Sequence, residues 1–367
     1  MTPIPIAFVW ENFGPSHRDR IEAVARDPAF DASGIEFNRK SRAYQWEAGE
    51  AGSARLVSLF ESENPPGQLA LTWRLISALL RSPARAVFLC HYNYPPVFAA
   101  ALAARLSGRR VYAMLDSKYD DYPRSAPREW LKRVLLAPYH GALVASRRSA
   151  EYVRFLGFRR RPVAQGFDSL DVSRLQAASA GARDLPHGDR DFLIVARLVA
   201  KKNLPFALLA YAAHRAGARY PRKLRIVGYG DQEAELRQLA KELGIEDSMV
   251  FAGMLDSPAV ARAMAEALCL ILPSTEEQFG LVVIEALAQG LPVLVSSNAG
   301  AVDKLVDHGV NGWVIDPQRL VTLTAAMALL DREEAQWRSA RAAASASCER
   351  GDVRHFVAGV RALIQDS

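Results

Sequence analysis

Residues 274–290 read STEEQFGLVVIEALAQG, and this stretch decides the fold class. It follows an apolar run, CLILPS at 269–274, which has the length and composition of a buried strand. A short polar loop comes next, and a helix is predicted to start at Gly280. Positions 281–284 and 286–288 of that helix are all apolar, and helices that are apolar on every side are buried. A buried strand that leads into a buried helix is the repeating unit of a parallel α/β sheet.

The same alternation extends along the whole chain in both directions, so we predict an α/β fold of two doubly wound halves. The ligands of such sheets sit beyond the carboxyl ends of the strands. The candidate strands are 4–10, 56–60, 86–91, 110–115 and 141–146, followed by 192–197, 223–228, 249–253, 269–274 and 292–297. The candidate helices lie near 17–27, 67–80, 96–107, 126–136 and 147–156, followed by 202–215, 231–243, 257–267, 281–289, 317–331 and 351–364.

Two domains are expected because 367 residues exceed what one hydrophobic core usually serves. A polar stretch rich in Ala, Ser and Asp at 168–191 reads as the linker between them. The predicted boundaries are an N-terminal domain at 1–167, the linker, a second domain at 192–349, and a C-terminal helix at 350–367 that packs back toward the first domain.

Charge is distributed unevenly along the chain. Residues 1–180 hold 25 Lys and Arg against 17 Asp and Glu, a balance of +8, whereas the remainder holds 21 against 23, a balance of −2. This asymmetry predicts that the first domain meets an anionic partner. No run reaches the roughly 18–20 apolar residues that span a bilayer, no secretory leader is evident, and the three cysteines show no paired spacing. These features favour a cytoplasmic protein.

Two glutamates in the opening stretch are the first candidates for chemistry. Glu285 is the only charge in the predicted helix, and a buried carboxylate needs donors, which the hydroxyls of a ribose would supply. Glu277 precedes the helix, beside the free N–H groups of the first turn from Gly280 to Val283, which form an anion site. A diphosphate at the start of the helix, with a sugar against Glu277 and a ribose against Glu285, is one consistent geometry. Two solvated or salt-bridged carboxylates are the alternative.

A second polar element, Arg197-Leu198-Val199-Ala200-Lys201-Lys202, follows the first strand of the same half. Arg197 ends the strand and Lys202 opens the next helix, so both cations can lie at one edge of the sheet. Two cations suit a diphosphate, above all a departing one whose negative charge grows in the transition state. The alternative is a pair of solvated loop residues.

These motifs resemble the donor site of the family-4 retaining glycosyltransferases, which have the GT-B fold. The E-x7-E spacing from Glu277 to Glu285, the segment A-L-A-x-G-L-P-V after it, and R-L-x-x-x-K at 197–202 carry the resemblance. Further matches are Gly228-Tyr229-Gly230-Asp231, VFAG at 250–253, the stretch 299–314 and Gly166-Phe167-Asp168. The resemblance implies two Rossmann-like domains that face each other across a cleft, with the acceptor on the first and the nucleotide sugar on the second.

The resemblance also implies roles for individual residues. Arg197 and Lys202 would bind the donor diphosphate, Glu277 would contact the transferred sugar, and Glu285 would contact the ribose. The remaining donor-binding residues would be Phe279, Gly280, Leu281 and Val282 beside the sugar and phosphate, and Phe251 and Gly253 in the base pocket. Family members retain the anomeric configuration and need no metal, so neither a metal nor a cofactor is expected.

The N-terminal half offers weaker candidates. Several family members carry a His-Asp pair after a strand of this domain, but this chain has Leu115-Asp116 there. Asp116 is predicted to contact the acceptor hydroxyl or the sugar, and a loop or cap carboxylate is the alternative. Gly14 and His17 follow the first strand, where backbone approaches the donor, and His91 ends another strand. Each of these residues also fits a purely local role at a helix start or a strand end.

The stretch 124–161 combines ten basic residues with interleaved apolar ones. Basic and apolar helices suit an anionic membrane face, which would serve a lipid-linked acceptor, although solvated helix faces over a core give a similar pattern. The expected partners are therefore a nucleotide sugar, a glycan or lipid-linked acceptor and an anionic membrane surface, but not nucleic acid. The chain would be cytoplasmic and peripheral on the inner face of the membrane.

The function predicted from the sequence is a retaining, metal-independent hexosyltransferase of surface polysaccharide biosynthesis. It would move a sugar from a nucleoside diphosphate to a hydroxyl of a glycan or glycolipid. Two alternatives are a nucleotide-sugar epimerase of the same fold and a glycosyltransferase-like protein that binds without catalysis.

Overall fold

A computed structural model of the chain describes residues 2–39, 52, 54–61, 67–218 and 221–365. They form two compact units: unit 1 comprises Met1–Asp171 and Asp352–Ser367, and unit 2 comprises Val172–Gly351. The predicted linker at 168–191 is divided between them, because a helix at Val172–Ala178 belongs to unit 2. Within the ranges described, no helix has both the length and the hydrophobicity to cross a bilayer.

Unit 1 contains a parallel sheet of seven strands in its described residues, in the order β3-β2-β1-β4-β5-β6-β7. With elements numbered in chain order, the strands are β1 (Ile4–Trp10), β2 (Phe30–Asn38), β3 (Arg55–Phe60), β4 (Ala86–Leu89), β5 (Arg110–Leu115), β6 (Gly141–Val144) and β7 (Val163–Gln165). The helices are α1 (Pro15–Ala25), α2 (Gln68–Arg81), α3 (Pro95–Leu106), α4 (Ala126–Leu135), α5 (Arg147–Val153) and the last helix of the chain, α14 (Arg354–Gln365).

The sequence prediction missed β2 and β7. Strand β2, FDASGIEFN, has no continuous apolar run, yet it lies inside the sheet because its polar side chains are satisfied there. The Ser33 hydroxyl donates to the carbonyl of Ile6 at 3.1 Å. The buried Glu36 carboxylate accepts hydrogen bonds from the Phe13 amide and the Ser58 hydroxyl, each at 2.6 Å. These bonds anchor the loop that follows β1.

Helix α14 packs on the sheet of unit 1. The ring of Phe356 lies 5.4 Å from that of Phe8 in β1, and the Tyr112 hydroxyl donates to the carbonyl of Leu363 at 2.9 Å. The approach is close, because a side chain at Gly166 would place its Cβ atom 2.2 Å from the carbonyl oxygen of His355. The C-terminal segment is therefore part of the core of unit 1.

Unit 2 contains a parallel sheet of six strands in its described residues, in the order β10-β9-β8-β11-β12-β13. The strands are β8 (Phe192–Val195), β9 (Leu224–Val227), β10 (Met249–Gly253), β11 (Cys269–Leu272), β12 (Val293–Ser296) and β13 (Gly312–Ile315). The helices are α6 (Val172–Ala178), α7 (Leu204–Ala216), α8 (Glu233–Glu242), α9 (Ser257–Glu266), α10 (Val282–Ala288), α11 (Val302–Leu305), α12 (Leu320–Arg332) and α13 (Glu334–Ser347). The sequence prediction missed β13, α6, α11 and α13.

Both sheets reverse their strand order at one point. The reversal falls between β1 and β4 in unit 1 and between β8 and β11 in unit 2. Ligands of doubly wound sheets bind beyond the carboxyl ends of the strands at this point, because the loops there diverge and leave a crevice. The loops after β1 and β4, and those after β8 and β11, are therefore the expected ligand sites.

Candidate active site

In unit 2, the loops at the reversal point bring Lys202 and Glu277 together. Lys202 ends a 3₁₀ turn, Ala200–Lys202, after β8, and Glu277 lies in the loop after β11. Lys202 Nζ donates to Glu277 Oε2 at 2.5 Å, and each side chain is only 14% exposed. The buried Ser274 hydroxyl donates to the same oxygen at 2.9 Å. Among the described residues nothing donates to Glu277 Oε1, so this oxygen can accept a ligand hydroxyl.

Backbone contacts hold both loops in place. The Asn203 side-chain amide, from a residue in the left-handed region at φ 54°, donates to the carbonyls of Pro273 and Pro317 at 3.2 Å each. The Thr275 amide donates to the carbonyl of Lys201 at 2.9 Å. These bonds tie the loop that carries Lys202 to the loop that carries Glu277, so the ion pair is supported by the main chain.

The segment around Glu277 is also fixed from its other side. Glu277 forms a parallel bridge with Ala299 in the loop after β12, and the Ala301 amide donates to the carbonyl of Phe279 at 2.9 Å. Gly300 is required between these bonds, because a Cβ atom there would lie 2.1 Å from the carbonyl oxygen of Gln278. The Ala-Gly-Ala sequence at 299–301 thus holds the loop that carries Glu277 in place through backbone contacts.

The structure corrects the predicted helix start at Gly280. Gly280 has φ +102°, outside the helical region, and α10 begins at Val282 after the cap residue Leu281. The amide of Val283 is not free, since it donates to the carbonyl of Gly280 at 3.0 Å. Within the described chain, the amides of Gly280, Leu281 and Val282 donate to no backbone carbonyl. The candidate anion site is therefore these three amides, and it excludes Val283.

Glu285 lies on the open side of α10. Leu281, Val282, Glu285 and Gln289 are half-buried, whereas the rest of the helix is buried. With about 3.6 residues per turn these four positions share one face. The expectation of a fully buried helix is wrong for this face, and Glu285 is accessible on the same side as the free amides of the first turn.

The other predicted donor residues lie at the same edge of the sheet. Arg197 is half-buried, two residues beyond β8. Phe279 is buried, in the clamped loop. Phe251 and Gly253 are in β10, which is two strands from β8 and so about 10 Å away. The Arg237 guanidinium covers the Phe251 ring at 4.2 Å. The structure thus joins Lys202 and Glu277 directly and leaves the base-pocket candidates further along the edge.

In unit 1, Gly14 and His17 form the turn after β1. Gly14 is the cap residue of α1, and its amide donates to His17 Nδ1 at 3.0 Å. His17 Nδ1 is therefore an acceptor, which leaves the proton of the neutral ring on Nε2. Burial, helped by nearby Arg20 and His91, lowers the pKa of His17 to about 3. His17 is thus neutral at physiological pH, and the amide of Gly14 is already used within the protein.

The sequence prediction overlooked Arg20, which lies under this turn. Arg20 is 1% exposed; its Nη2 contacts Asp168 Oδ1 at 3.1 Å, and its Nε donates to the carbonyl of Ser169 at 3.0 Å. Burial lowers the pKa of Arg20, and the nearby Asp168 carboxylate opposes that effect. A signal existed, since His17, Arg20, Ile21 and Val24 recur at helical spacing and so mark an inward-facing arginine. Asp168, part of the quoted GFD motif, is its partner.

Asp116 lies just beyond β5 and is half-buried. Burial raises its pKa to about 7, and the negative charge of Asp168 adds to the effect, while Arg20 opposes it. Its main-chain carbonyl accepts a hydrogen bond from the Ser149 hydroxyl at 2.8 Å. Near neutral pH this carboxyl therefore changes between a hydrogen-bond donor and a charged acceptor. His91, which follows β4, adopts φ 60°, and burial lowers its pKa.

A resident metal is not indicated by side-chain clustering. Among the residues that the structure describes, no three or more His, Cys, Asp or Glu side chains form a group that could hold a metal ion. Metal independence stays a prediction.

Comparison with known proteins relates part of the chain to a family of glycosyltransferases. Residues 178–345 match the family model described as "Glycosyl transferases group 1". An uncharacterized glycosyltransferase of Methanocaldococcus jannaschii is 34% identical over 37% of this chain and 34% of its own length. The amylovoran biosynthesis glycosyltransferase AmsK of Erwinia amylovora is 26% identical over 71% of this chain and 65% of its own length. The chain thus spans about one third to two thirds of the length of these curated relatives.

Solved structures share the fold over the whole chain. HepE from Anabaena, determined in complex with UDP and glucose, superposes with a TM-score of 0.75 at 18% identity, covering 99% of this chain and 100% of its own. At this identity the likeness concerns the fold alone. It confirms the predicted fold class of two Rossmann-like α/β domains with parallel sheets.

Proposed function

We propose that this chain, whose residues 178–345 match the glycosyl transferases group 1 model, is a retaining hexosyltransferase that takes a sugar from a nucleoside diphosphate without a metal. The observation that carries the proposal is the Lys202–Glu277 pair at the strand-order reversal of unit 2. A cation beside a carboxylate, next to three unused amides, matches a diphosphate joined to a sugar.

When the donor binds, Lys202 and Glu277 release each other and contact the donor instead. Lys202 has three N–H donors, and one of them is used by Glu277 in the unliganded protein. The diphosphate oxygens take Lys202 and the amides of Gly280, Leu281 and Val282, while the sugar hydroxyls approach Glu277. Ser274 keeps Glu277 Oε2 in place during the exchange. Arg197 adds the second positive charge, and Glu285 faces the ribose.

Catalysis then depends on stabilising the departing diphosphate. As the bond from the anomeric carbon to the phosphate oxygen breaks, negative charge grows on that oxygen, and prearranged cations and amides stabilise it more than they stabilise the ground state. The acceptor hydroxyl attacks from the side of the leaving group, and the phosphate oxygen takes its proton. This front-face course retains the anomeric configuration without a strong protein base.

The acceptor is proposed to be a glycan or glycolipid hydroxyl that belongs to surface polysaccharide. The name of AmsK, an amylovoran biosynthesis enzyme of Erwinia amylovora, supports this class. The carboxyl ends of the strands in unit 1 offer neutral His17 and titratable Asp116 for polar contacts with the acceptor.

The test is turnover with a panel of UDP-, GDP-, ADP- and dTDP-sugars and a mixture of glycan and lipid-linked acceptors. Lys202→Ala should lower kcat by about two to four orders of magnitude, because it removes a charge contact that strengthens in the transition state. The matched control is Lys201→Ala, the adjacent lysine, which should change kcat by less than about twofold. Near-normal turnover by Lys202→Ala would refute the assignment, and conversion of the donor without acceptor would indicate an epimerase.

A further inference from the structure

The surface formed by α4 and the π-helical turn Arg154–Phe158, which pack against each other in unit 1, is unusually basic and apolar. Not every basic residue of this region reaches the solvent. Arg124 donates to the Tyr152 hydroxyl at 2.8 Å, and Lys132 donates to Glu129 Oε1 at 3.0 Å. Arg161 donates to two backbone carbonyls. These three cations therefore support the fold rather than the surface.

Five other arginines of the region are exposed, and among the described residues none has a carboxylate within 4.0 Å. They are Arg128, Arg133, Arg154, Arg159 and Arg160. Guanidinium groups that share one surface without carboxylate partners repel one another. They are suited to an anionic partner that supplies the missing counter-charges.

Large apolar side chains lie among these arginines. Trp130 is 66% exposed, Leu131 51% and Val134 41% on α4, and Phe155 is 50% exposed on the neighbouring turn. At about 100° per residue, the three α4 residues form one stripe with Arg128 on one flank and Arg133 on the other. Glu129, on the opposite side of α4, is buried against Lys132 and Tyr152. The helix thus presents its apolar stripe outward.

We propose that this surface, the exposed side chains of α4 and of residues 154–160, docks on an anionic lipid bilayer. The apolar stripe enters the boundary between headgroups and acyl chains, and the flanking guanidinium groups bind lipid phosphates. An apolar stripe flanked by free cations matches the layered chemistry of such a membrane, in which phosphates lie just above hydrocarbon. The docking site is independent of the donor site in unit 2.

A second exposed apolar stripe, on α2, serves as a comparison with the stripe on α4. Leu69 is 88% exposed and Trp73 75%, but α2 has only two basic residues, Arg74 and Arg81. Arg74 is engaged, because it donates to the carbonyl of Leu59 at 2.5 Å and stacks on the ring of Phe60 at 4.3 Å. The α2 stripe therefore lacks the free cations that an anionic bilayer would bind.

The test is flotation of the full chain with vesicles of phosphatidylcholine alone or mixed with phosphatidylglycerol. The chain should float with the mixed vesicles, remain unbound with the neutral ones, and be released by added salt. Trp130→Ser should lower the partition coefficient about tenfold or more, as expected for one apolar side chain withdrawn from the bilayer boundary. Trp73→Ser, the matched control at a tryptophan that is at least as exposed, should bind as the wild type does.

A charge-reducing variant separates the contribution of the arginines to membrane binding from that of the apolar stripe. Arg154→Gln combined with Arg159→Gln should weaken binding and reduce its salt dependence, while thermal unfolding stays as in the wild type, since both arginines are exposed. Four results would overturn the proposal: no binding to either vesicle, equal binding to both, a loss of binding with Trp73→Ser but not with Trp130→Ser, or a dimer in sedimentation that Trp130→Ser abolishes without any vesicle binding.

Discussion

At the scale of single residues, Lys202 and Glu277 depend on each other. The carboxylate neutralises the ammonium group, and both side chains are largely withdrawn from solvent. In the proposed donor site, a diphosphate would compete with Glu277 for Lys202, and the sugar would compensate by giving Glu277 hydroxyl partners. A nucleotide without its sugar would gain the contact with Lys202 but not the one with Glu277, so Glu277 would favour the intact donor.

Asp116 gives a prediction about pH. Its folded pKa of about 7 lies above the ordinary value of 3.8, so the folded protein binds the proton more tightly than the unfolded chain does. The resulting stabilisation is complete below pH 3.8 and is lost as the pH rises to 7. Asp116→Asn should therefore gain stability relative to the wild type between about pH 4 and pH 7, with no further change above.

Thermal unfolding across this range measures the difference directly. The exposed Asp31, changed to Asn, is the control and should track the wild type at every pH. A difference between Asp116→Asn and the wild type that stays constant from pH 4 to pH 8 would show that the carboxyl is not perturbed in the fold.

The sequence alone was enough to select Lys202 and Glu277 as candidates, but it did not lead to Arg20. Lys202 and Glu277 could be selected as candidates because their spacing relative to a strand end and a helix start is local, and their role in donor binding stays a prediction. The helical spacing around Arg20 could have shown that it faces inward, but its partner, Asp168, is 148 positions away in the chain, and a pairing of that kind follows from the fold alone. The raised pKa of Asp116 comes first from burial in the fold and second from the same distant residue, Asp168.

At the scale of elements, the end of β8 is shaped by Gly228. This glycine follows β9 with φ +134°, and a Cβ atom there would lie 1.9 Å from the carbonyl oxygen of Ala196, the residue before Arg197. Its amide donates to the carbonyl of Gly253 at 2.8 Å. The close approach of β8, β9 and β10 at this edge therefore requires the absence of a side chain.

Gly228→Ala should lower the free energy of unfolding by about 2 kcal/mol or more, because it combines strained backbone with a steric clash. Gly188→Ala is the control, since a Cβ atom there meets nothing within 4 Å, and it should change stability by less than about 0.5 kcal/mol. Chemical denaturation of both variants measures the two values. Equal stability for Gly228→Ala and the wild type would mean that this edge can relax.

Element prediction succeeded for β11 and α10, which are strongly apolar, and failed for β2, whose polar groups are satisfied internally. Strand β11 and helix α10 lie close to their predicted bounds. Strand β2 escaped prediction because Ser33 and Glu36 break its apolar pattern, and their partners lie on other strands. The start of α10 moved by two residues because Gly280 takes a left-handed conformation, which residue type alone permits without requiring.

At the scale of the whole molecule, the two-domain prediction followed from length and from the restart of the strand pattern near residue 192. The described residues do form two compact units, but the predicted linker at 168–191 is part of these units. Residues 172–178 form a helix that packs within unit 2. Composition identified this stretch as polar, yet it could not reveal that Arg190 is buried and donates to the carbonyl of Ala265 at 2.8 Å.

The uneven charge has a structural counterpart in this account. The free arginines of α4 and 154–160 belong to unit 1, whereas the candidate diphosphate site of unit 2 contains Lys202 and Arg197 beside Glu277 and Glu285. Net charge therefore points to unit 1, for which we propose the membrane-docking surface, but it does not reveal the proposed donor site of unit 2, where cations and carboxylates nearly balance.

The proposed donor site is tested most directly by calorimetric titration of UDP, GDP, ADP and dTDP into the wild type, Lys202→Ala and Glu277→Gln. At least one nucleotide should bind the wild type, Lys202→Ala should weaken that binding about tenfold to a hundredfold through loss of a charged hydrogen bond, and Glu277→Gln should tighten it by removing a competing anion. Binding to Lys202→Ala as tight as to the wild type, or no binding of any nucleotide to the wild type, would contradict the account.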